Sequence, residues 1–469
     1  MRRSRSPNPY HRGTQPPRAR IRSEDENHIN FTASSSSKRL KTYHGGGNDG
    51  IDRISELPDV LLQHILSFID MEEVIRNTSL LSKRWCNLWI SLPILNFNHY
   101  SMRQIKQYSF TKFVDRVLLR RDNSVINSLR IWYHRRHYGS MRSIEDWMSY
   151  AARKNVEQVC LDFYSHCKKD DEILPWPKLS KIQVFDLRAR ELLIPHSVFL
   201  DTQLKSLKLE LVRLPEGNLT LSCSVLEKLT ISYCDHSDVK LLNICAPKLN
   251  TLELKNDHDY NDTCKLRIST PNLKSLLLKG SMYMSYSFNK LSSLVKAKFE
   301  CYEVPDVDIM RKILGSLNNA TTLELCGELL EFSVRSPHQL LDIFVNLKCL
   351  KLIGWSGGSS MLHSLLMNSY SIETLVLDID HVLESRHDWR ELFQCIYRLK
   401  SIEIKGVRGC ENELNLFEFI LKNAVVLEDF TIYGYESLRC NSREELAKFN
   451  MKIHSVPRAS SSVKILVFF

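Results

Sequence analysis

A six-residue apolar spacing recurs along most of this chain and restricts it to stacked, repeated units. Each copy is an apolar residue, two others, an apolar residue, one other, and a third apolar residue. Copies stand at Leu204/Leu207/Leu209, Leu226/Leu229/Ile231, Leu249/Leu252/Leu254, Leu273/Leu276/Leu278 and Leu294/Ala297/Phe299. They continue at Ala320/Leu323/Leu325, Leu347/Leu350/Leu352, Ile372/Leu375/Leu377, Leu399/Ile402/Ile404 and Leu427/Phe430/Ile432. Weaker copies precede them at Ile126/Leu129/Ile131 and Val156/Val159/Leu161. From Leu204 onward successive starts lie 22, 23, 24, 21, 26, 27, 25, 27 and 28 residues apart. The last apolar positions alternate with polar ones, which predicts a short strand with one buried face. The remainder of each unit must return by a helix or an irregular arc. One unit cannot bury its apolar face alone, so neighbours must stack into a solenoid. Phrases such as Leu204-Lys-Ser-Leu-Lys-Leu-Glu210 do not sustain a 3.6-residue period, which disfavours an array of paired helices.

The spacing and period resemble the leucine-rich repeat, whose units run about 20–29 residues. The uneven period predicts an irregular horseshoe, of α/β class, over residues 120–390.

The 469 residues carry a net charge of +10, unevenly spread. Residues 1–50 hold ten Arg/Lys and four Asp/Glu, or +6, leaving +4 for the rest. With the runs Ser34–Ser37 and Gly45–Gly47, this segment reads as a disordered basic tail. Lys38-Arg-Leu-Lys41 reads equally as a nuclear import signal or as a solvated basic stretch, so nucleus and cytoplasm are both expected locations. No apolar run approaches the roughly 20 residues of a membrane span, and no apolar core follows the first arginines as in a secretory signal. Thirteen scattered cysteines without a Cys-x-x-Cys pair suit a reducing compartment. Cys160, His166 and Cys167 lack an evident fourth ligand, so neither a metal nor another cofactor is expected.

Residues 51–98 read as a small helical module. Leu57, Leu61, Ile65 and Phe68 form one apolar helix face, with Pro58 at the helix start and Glu56 and Asp59 at the positive end of its dipole. A second helix is expected over 71–80 and a third carrying Trp85, Leu88 and Trp89 on one side. The run Leu57-Pro58-Asp59, Leu61, Ile65-Leu66 and Ser82-Lys83-Arg84-Trp85 resembles an F-box, the module that docks on a Skp-family adaptor. Ile69-Asp70 stands where plant members often carry Leu-Pro. The resemblance implies adaptor contacts by Leu57, Pro58, Asp59, Leu61, Ile65, Leu66, Trp85, Leu88 and Trp89.

Residues 390–469 are similar to the FBD region of plant F-box proteins, through Phe417–Ala424, Leu427–Ile432 and Pro457-Arg-Ala-Ser-Ser-Ser462. Helices near 413–423 and 442–454 and strands at 428–432 and 463–468 are expected there, continuing and capping the solenoid. Three segments in this order resemble the plant F-box/FBD/leucine-rich-repeat family. That resemblance implies the substrate-recognition subunit of an SCF-type cullin–RING ubiquitin ligase. Its partners would be a Skp-family adaptor, through it a cullin, and an unknown target protein. The alternative is a repeat scaffold without a ligase link.

No phosphate-cradling loop, nucleophile elbow or paired-histidine metal motif marks an enzyme. Gly354-Trp-Ser-Gly-Gly358 lacks a lysine, and His134 and His137 flank two arginines. The outward strand positions carry Arg130, Lys208, Lys255, Lys279, Lys298, Lys351 and Lys405 against Asp162, Glu210, Glu253, Glu300, Glu324, Asp378 and Glu403. Seven charges of each sign suit a protein partner and disfavour a specific nucleic acid. Candidate target contacts on this face are Trp132, Lys208, Tyr233, Glu253, Lys298, Glu324, Lys351 and Tyr433, the aromatics as anchors.

Overall fold

In the computed structural model the described residues are 54–468, apart from 79, 103–106, 135–140, 165–180, 191, 201–202, 257–263, 281–284, 290, 302–306, 327–343, 356–358, 380–392 and 436–442. The expected basic tail at 1–50 lies outside them, as do His137, His166 and Cys167 and residues 356–358 of the glycine-rich stretch. The chain divides into a unit at Met1–Ser55 and one at Glu56–Phe469. Every described helix and strand lies in the second unit.

Three short helices come first: α1 (Asp59–Leu66), α2 (Met71–Thr78) and α3 (Lys83–Leu88), then a 3-10 turn at Trp89–Ser91. Pro58 caps α1 with Asp59 in its first turn, as the dipole favours. Ser82 caps α3, its Oγ accepting the Trp85 N–H at 3.4 Å. Leu62, Leu66, Met71, Val74, Trp85 and Leu88 are buried between the helices.

A parallel ladder comes directly after the helices. Its first strands are β1 (Ile94–Asn98), β2 (Ser128–His134), β3 (Gln158–Tyr164), β4 (Val184–Ala189) and β5 (Ser206–Glu210). The middle of the chain alternates between two sheets through β6 (Gly217–Ser222), β7 (Lys228–Ser232), β8 (Val239–Cys245), β9 (Thr251–Lys255), β10 (Lys265–Ser269), β11 (Ser275–Gly280), β12 (Ser285–Phe288) and β13 (Lys296–Cys301). The last strands are β14 (Thr322–Cys326), β15 (Cys349–Ile353), β16 (Thr374–Asp378), β17 (Ser401–Val407), β18 (Asp429–Gly434) and β19 (Lys464–Phe468). The main sheet has 15 strands in the order β1-β2-β3-β4-β5-β7-β9-β11-β13-β14-β15-β16-β17-β18-β19. A second, four-stranded sheet has the order β12-β10-β8-β6.

The register carries the repeat into three dimensions. Leu207, Leu229, Leu252, Leu276, Ala297, Leu323, Leu350, Leu375, Ile402 and Phe430 stand rung to rung. Each is buried, so the apolar column is the continuous core between the strand sheet and the return arcs. Two further copies join it. Leu92/Leu95/Phe97 precedes Ile126/Leu129/Ile131, and Ile182/Phe185/Leu187 follows Val156/Val159/Leu161. Residues 94–98 are thus the first ladder strand and not helical. The buried Asn96 Nδ2 donates to the Ser67 carbonyl at 2.6 Å, tying that strand to the end of α1.

The return arcs divide by length. The four units starting at Leu204, Leu226, Leu249 and Leu273 span 21–24 residues, and they return by β6, β8, β10 and β12. These arcs are strands, where the sequence led us to expect helix or irregular chain. The units starting at Leu294, Leu347, Ile372 and Leu399 span 25–28 residues and return through helices at Val307–Ser316, Ser359–Met367, Phe393–Ile396 and Glu411–Asn423. A helix rises about 1.5 Å per residue and a strand about 3.3 Å, so a helical return over the same height needs more chain. Earlier returns are also helical, at Gln107–Arg120 and Met141–Arg153. There Trp147 donates its indole N–H to Asp115 at 2.8 Å, joining the two helices.

At the far end, the helix Arg443–Ser455 leads into β19. The buried Ser460 donates its hydroxyl to the Leu427 carbonyl at 2.6 Å, and the Ala459 N–H reaches the Leu421 carbonyl at 2.8 Å. The Pro457–Ser462 run therefore pins the last connection to the repeat before it. Gly406 lies where the pairing of β17 with β18 shifts register, with φ +74°. A Cβ there would stand 2.1 Å from the Ile379 carbonyl oxygen, so only glycine fits.

Candidate functional site

Two surfaces carry the residues that the sequence singles out. The first is the helical module. Its apolar residues fall into two stripes with opposite fates. Leu62 and Leu66 point into the core. Val60 (74% exposed), Leu61 (48%), Ile65 (46%) and Phe68 (76%) face solvent. Pro58 and Asp59 are exposed beside them, and Leu57 is half-buried against the core. Leu80 and Leu81, in the turn before α3, are exposed as well. The Arg84 guanidinium locks the start of α1, donating from Nε to Asp59 Oδ1 at 2.8 Å and from Nη2 to the Leu57 carbonyl at 2.6 Å. Gln63 donates to Ser91 Oγ at 2.8 Å, fixing the other side of the helix. The solvent-facing stripe is therefore held on a rigid support.

This arrangement divides the expected contact set by exposure. Leu66, Trp85 and Leu88 are buried and hold the module together. Trp89, in the 3-10 turn, is half-buried against the core, with its carbonyl accepting from Arg121 at 3.4 Å. Leu61, Ile65, Pro58 and Asp59 remain available. Val60, Leu80 and Leu81 were not anticipated. They lie outside the one helix stripe that the spacing picks out, and their only sequence signal is that apolar residues crowd a helix start and a turn.

The second surface is the outward face of the main sheet. Its charges are arranged as pairs, some between neighbouring strands and some along one strand. Arg188 lies 3.7 Å from Asp162 and 3.3 Å from Glu210, and Lys208 lies 3.2 Å from Glu210. Lys255 and Glu253 pair at 3.1 Å on one strand. Lys298 bridges Glu300 at 2.5 Å and also Glu324, which is itself buried; Lys279 reaches Glu300 at 2.6 Å. Burial opposes ionisation of Glu300, but hydrogen bonds from Lys279 and Lys298 outweigh it and hold the carboxyl below its usual range. Burial likewise works against the charge of Lys298, and its bonds to Glu300 and Glu324 overcome that and raise its pKa. Lys208, Glu253, Lys298 and Glu324 thus spend their charges on neighbours. Lys351 sits in register between Glu324 and Val376.

The candidate aromatics are scattered. Trp132 is half-buried on β2, in register with Asn98 and Asp162. Tyr233 leaves β7 with φ +54°, its N–H donating to the Lys255 carbonyl at 2.6 Å. Tyr433 is exposed near the other end of the ladder, stacked on Phe468 with ring centroids 5.1 Å apart and Lys405 Nζ 5.8 Å from its own. Trp132, Tyr233 and Tyr433 therefore do not form one site. Cys160 lies in β3, where burial raises its thiol pKa. Among the described residues no helix is long and apolar enough to cross a membrane.

Comparison with known proteins matches both regions of the chain. The F-box domain family matches residues 54–97, and the family described as At1g61320/AtMIF1, LRR domain, matches residues 121–467. Among curated proteins of Arabidopsis thaliana, the chain is 26% identical to F-box/FBD/LRR-repeat protein At5g22660 over 449 residues, covering 89% of this chain and 97% of the relative. It is 27% identical to F-box/FBD/LRR-repeat protein At5g56420 over 440 residues, 88% and 98% of the two chains. It is 28% identical to F-box/FBD/LRR-repeat protein At4g26340 over 441 residues, 89% and 100%.

Proposed function

Because the chain belongs to the plant F-box/FBD/leucine-rich-repeat family, we propose that it is the substrate-recognition subunit of an SCF-type cullin–RING ubiquitin ligase. The helical module binds a Skp-family adaptor, and the repeats hold a target protein. The chain performs no bond chemistry of its own. It raises the effective concentration of the target near a ubiquitin-charged enzyme carried by the same assembly.

The observation that carries this reading is the open stripe on a module whose own core is already filled. Val60 and Phe68 are largely solvated and Leu61 and Ile65 half open, and a solvated apolar cluster marks an interaction site. The sign-balanced outer sheet supports a protein target over a polyanion, since its cations are largely neutralised by neighbours.

Co-purification with a Skp-family adaptor tests the proposal. Burying the open halves of Leu61 and Ile65 is worth about 1 kcal/mol each, and Phe68 about 2 kcal/mol. The triple change Leu61→Ala, Ile65→Ala, Phe68→Ala should therefore weaken the complex about 1,000-fold while leaving the melting profile intact. Failure of the folded wild-type chain to bind the adaptor would remove the ligase link and leave a repeat scaffold.

A further inference from the structure

The turns that enter the last strands carry a second exposed apolar feature, separate from the outer sheet face. Main-chain bonds fix the equivalence of the turns: Lys348 donates to Thr321, Glu373 to Lys348, Lys400 to Glu373 and Glu428 to Lys400. Three residues before each of Lys348, Glu373, Lys400 and Glu428 stand Val345 (54% exposed), Tyr370 (60%), Tyr397 (45%) and Val425 (55%). Four consecutive repeats thus place a large apolar side chain at one solvent-facing position. The equivalent residues of the five preceding repeats are Ser224, Pro247, Pro271, Ser292 and Asn318. Packing does not require the apolar choice, because the same turn is built without it five times.

A cation occupies the centre of this strip. The Arg398 guanidinium lies 5.5 Å from the Tyr370 ring centroid and 5.1 Å from that of Tyr397, and its Nε donates to the Tyr397 hydroxyl at 3.0 Å. Unlike Arg188, Lys208 and Lys298 on the sheet, Arg398 has no carboxylate within ion-pair distance among the described residues. Glu373, three residues after Tyr370, is engaged by Lys400 at 3.3 Å. A guanidinium oriented by two rings and lacking an anion is arranged for a carboxylate from outside.

We propose that Val345, Tyr370, Tyr397, Arg398 and Val425 form a docking strip for an extended acidic peptide segment of a partner protein. Adjacent strands lie about 4.8 Å apart, so four positions span about 14 Å. An extended peptide covers that with five residues, of which the first, third and fifth face the strip. The occupant therefore has an Asp or Glu flanked two positions away on each side by apolar residues. The carboxylate meets Arg398, and the apolar side chains lie on the Val345 and Val425 ends. The strip deepens the receptor reading, on which only the identification of the peptide as part of a target depends.

Fluorescence anisotropy with capped decapeptides tests it. Each has leucines two positions either side of a central Glu, Lys, Asn or phosphoserine. The full chain should bind the Glu peptide at least tenfold tighter than the Lys and Asn peptides. Arg398→Gln and the double change Tyr370→Ser, Tyr397→Ser should each lose tenfold or more, and Leu61→Ala/Ile65→Ala should lose nothing. Equal binding of the Glu and Lys peptides, no measurable binding of the Glu peptide, or an unaffected Arg398→Gln chain would overturn the proposal. Tighter binding of phosphoserine would overturn the choice of a carboxylate. Adaptor co-purification of the same variants separates the two readings. Arg398→Gln must retain the adaptor, and loss of the adaptor by the wild type with peptide binding intact would sink the ligase link alone.

Discussion

Glu413 is the residue whose loss should most clearly unfasten one end of the ladder. It is fully buried in the first turn of the helix Glu411–Asn423. Its carboxylate accepts the Arg408 N–H at 3.0 Å, the Gly409 N–H at 2.7 Å and the Cys410 N–H at 3.0 Å. Gly409 has φ +82°, so the three amides converge through a left-handed turn on one acceptor. Glu413→Ala leaves three donors without an acceptor. The turn is half-buried, so the lower figure of about 1 kcal/mol per amide applies. Loss of negative charge at the helix start adds about 0.5–1 kcal/mol, for a total of about 4 kcal/mol. Glu413→Gln keeps one acceptor oxygen but turns an NH2 toward the amides, and about 2 kcal/mol should be lost. Glu411→Ala, exposed in the same turn, should cost only about 0.5 kcal/mol. Urea unfolding measures the totals. Hydrogen exchange should quicken across 401–434 and remain unchanged across 128–164, because repeats contact only their neighbours. A Glu413→Ala chain within about 0.5 kcal/mol of wild type, or one no worse than Glu411→Ala, would refute the reasoning.

Gly406→Ala should lower stability by about 3 kcal/mol or more in the same urea assay, since its Cβ would collide with the Ile379 carbonyl and φ is positive. Leu62→Ala should cost about 3 kcal/mol by emptying a fully buried site, whereas its neighbour Leu61→Ala should change thermal stability by less than about 0.5 kcal/mol. Glu300, with its pKa held down, adds stability that is fully present above the usual glutamate range and is lost as pH falls through its lowered value. The protection factors of the β13–β14 amides, corrected for the intrinsic pH dependence of exchange, should therefore fall on acidification below about pH 4, and Glu300→Gln should flatten that dependence.

Much of the architecture was legible because it rests on short-range periodicity. Alternation within six residues marks the ladder strands, and the helix and strand positions expected beyond residue 410 agree with those observed at Glu411–Asn423, Asp429–Gly434, Arg443–Ser455 and Lys464–Phe468. Leu92/Leu95/Phe97 carried the same pattern, but the helical module beside it masked the strand. The return arcs were less legible. Segments such as Val239–Cys245 suit a strand or an irregular arc, and the length of chain left to span the repeat selects between them.

The sequence by itself determined that apolar residues recur with a strand's alternation and a repeat's period, since both follow from local side-chain geometry. It also marked the stretch around Leu57–Trp89 as helical and rich in apolar side chains. Which of those side chains remain open depends on what packs against the helix. In α1 the stripe of Leu62 and Leu66 is buried, on a helix that packs against α3 and the 3-10 turn at Trp89–Ser91, and the stripe of Leu61 and Ile65 is half open. The amino-acid type is the same in both stripes, so no local pattern separates them. Tyr370 likewise becomes a neighbour of Tyr397 and Arg398 only when two repeats stack, because burial and contact are properties of what lies across the fold.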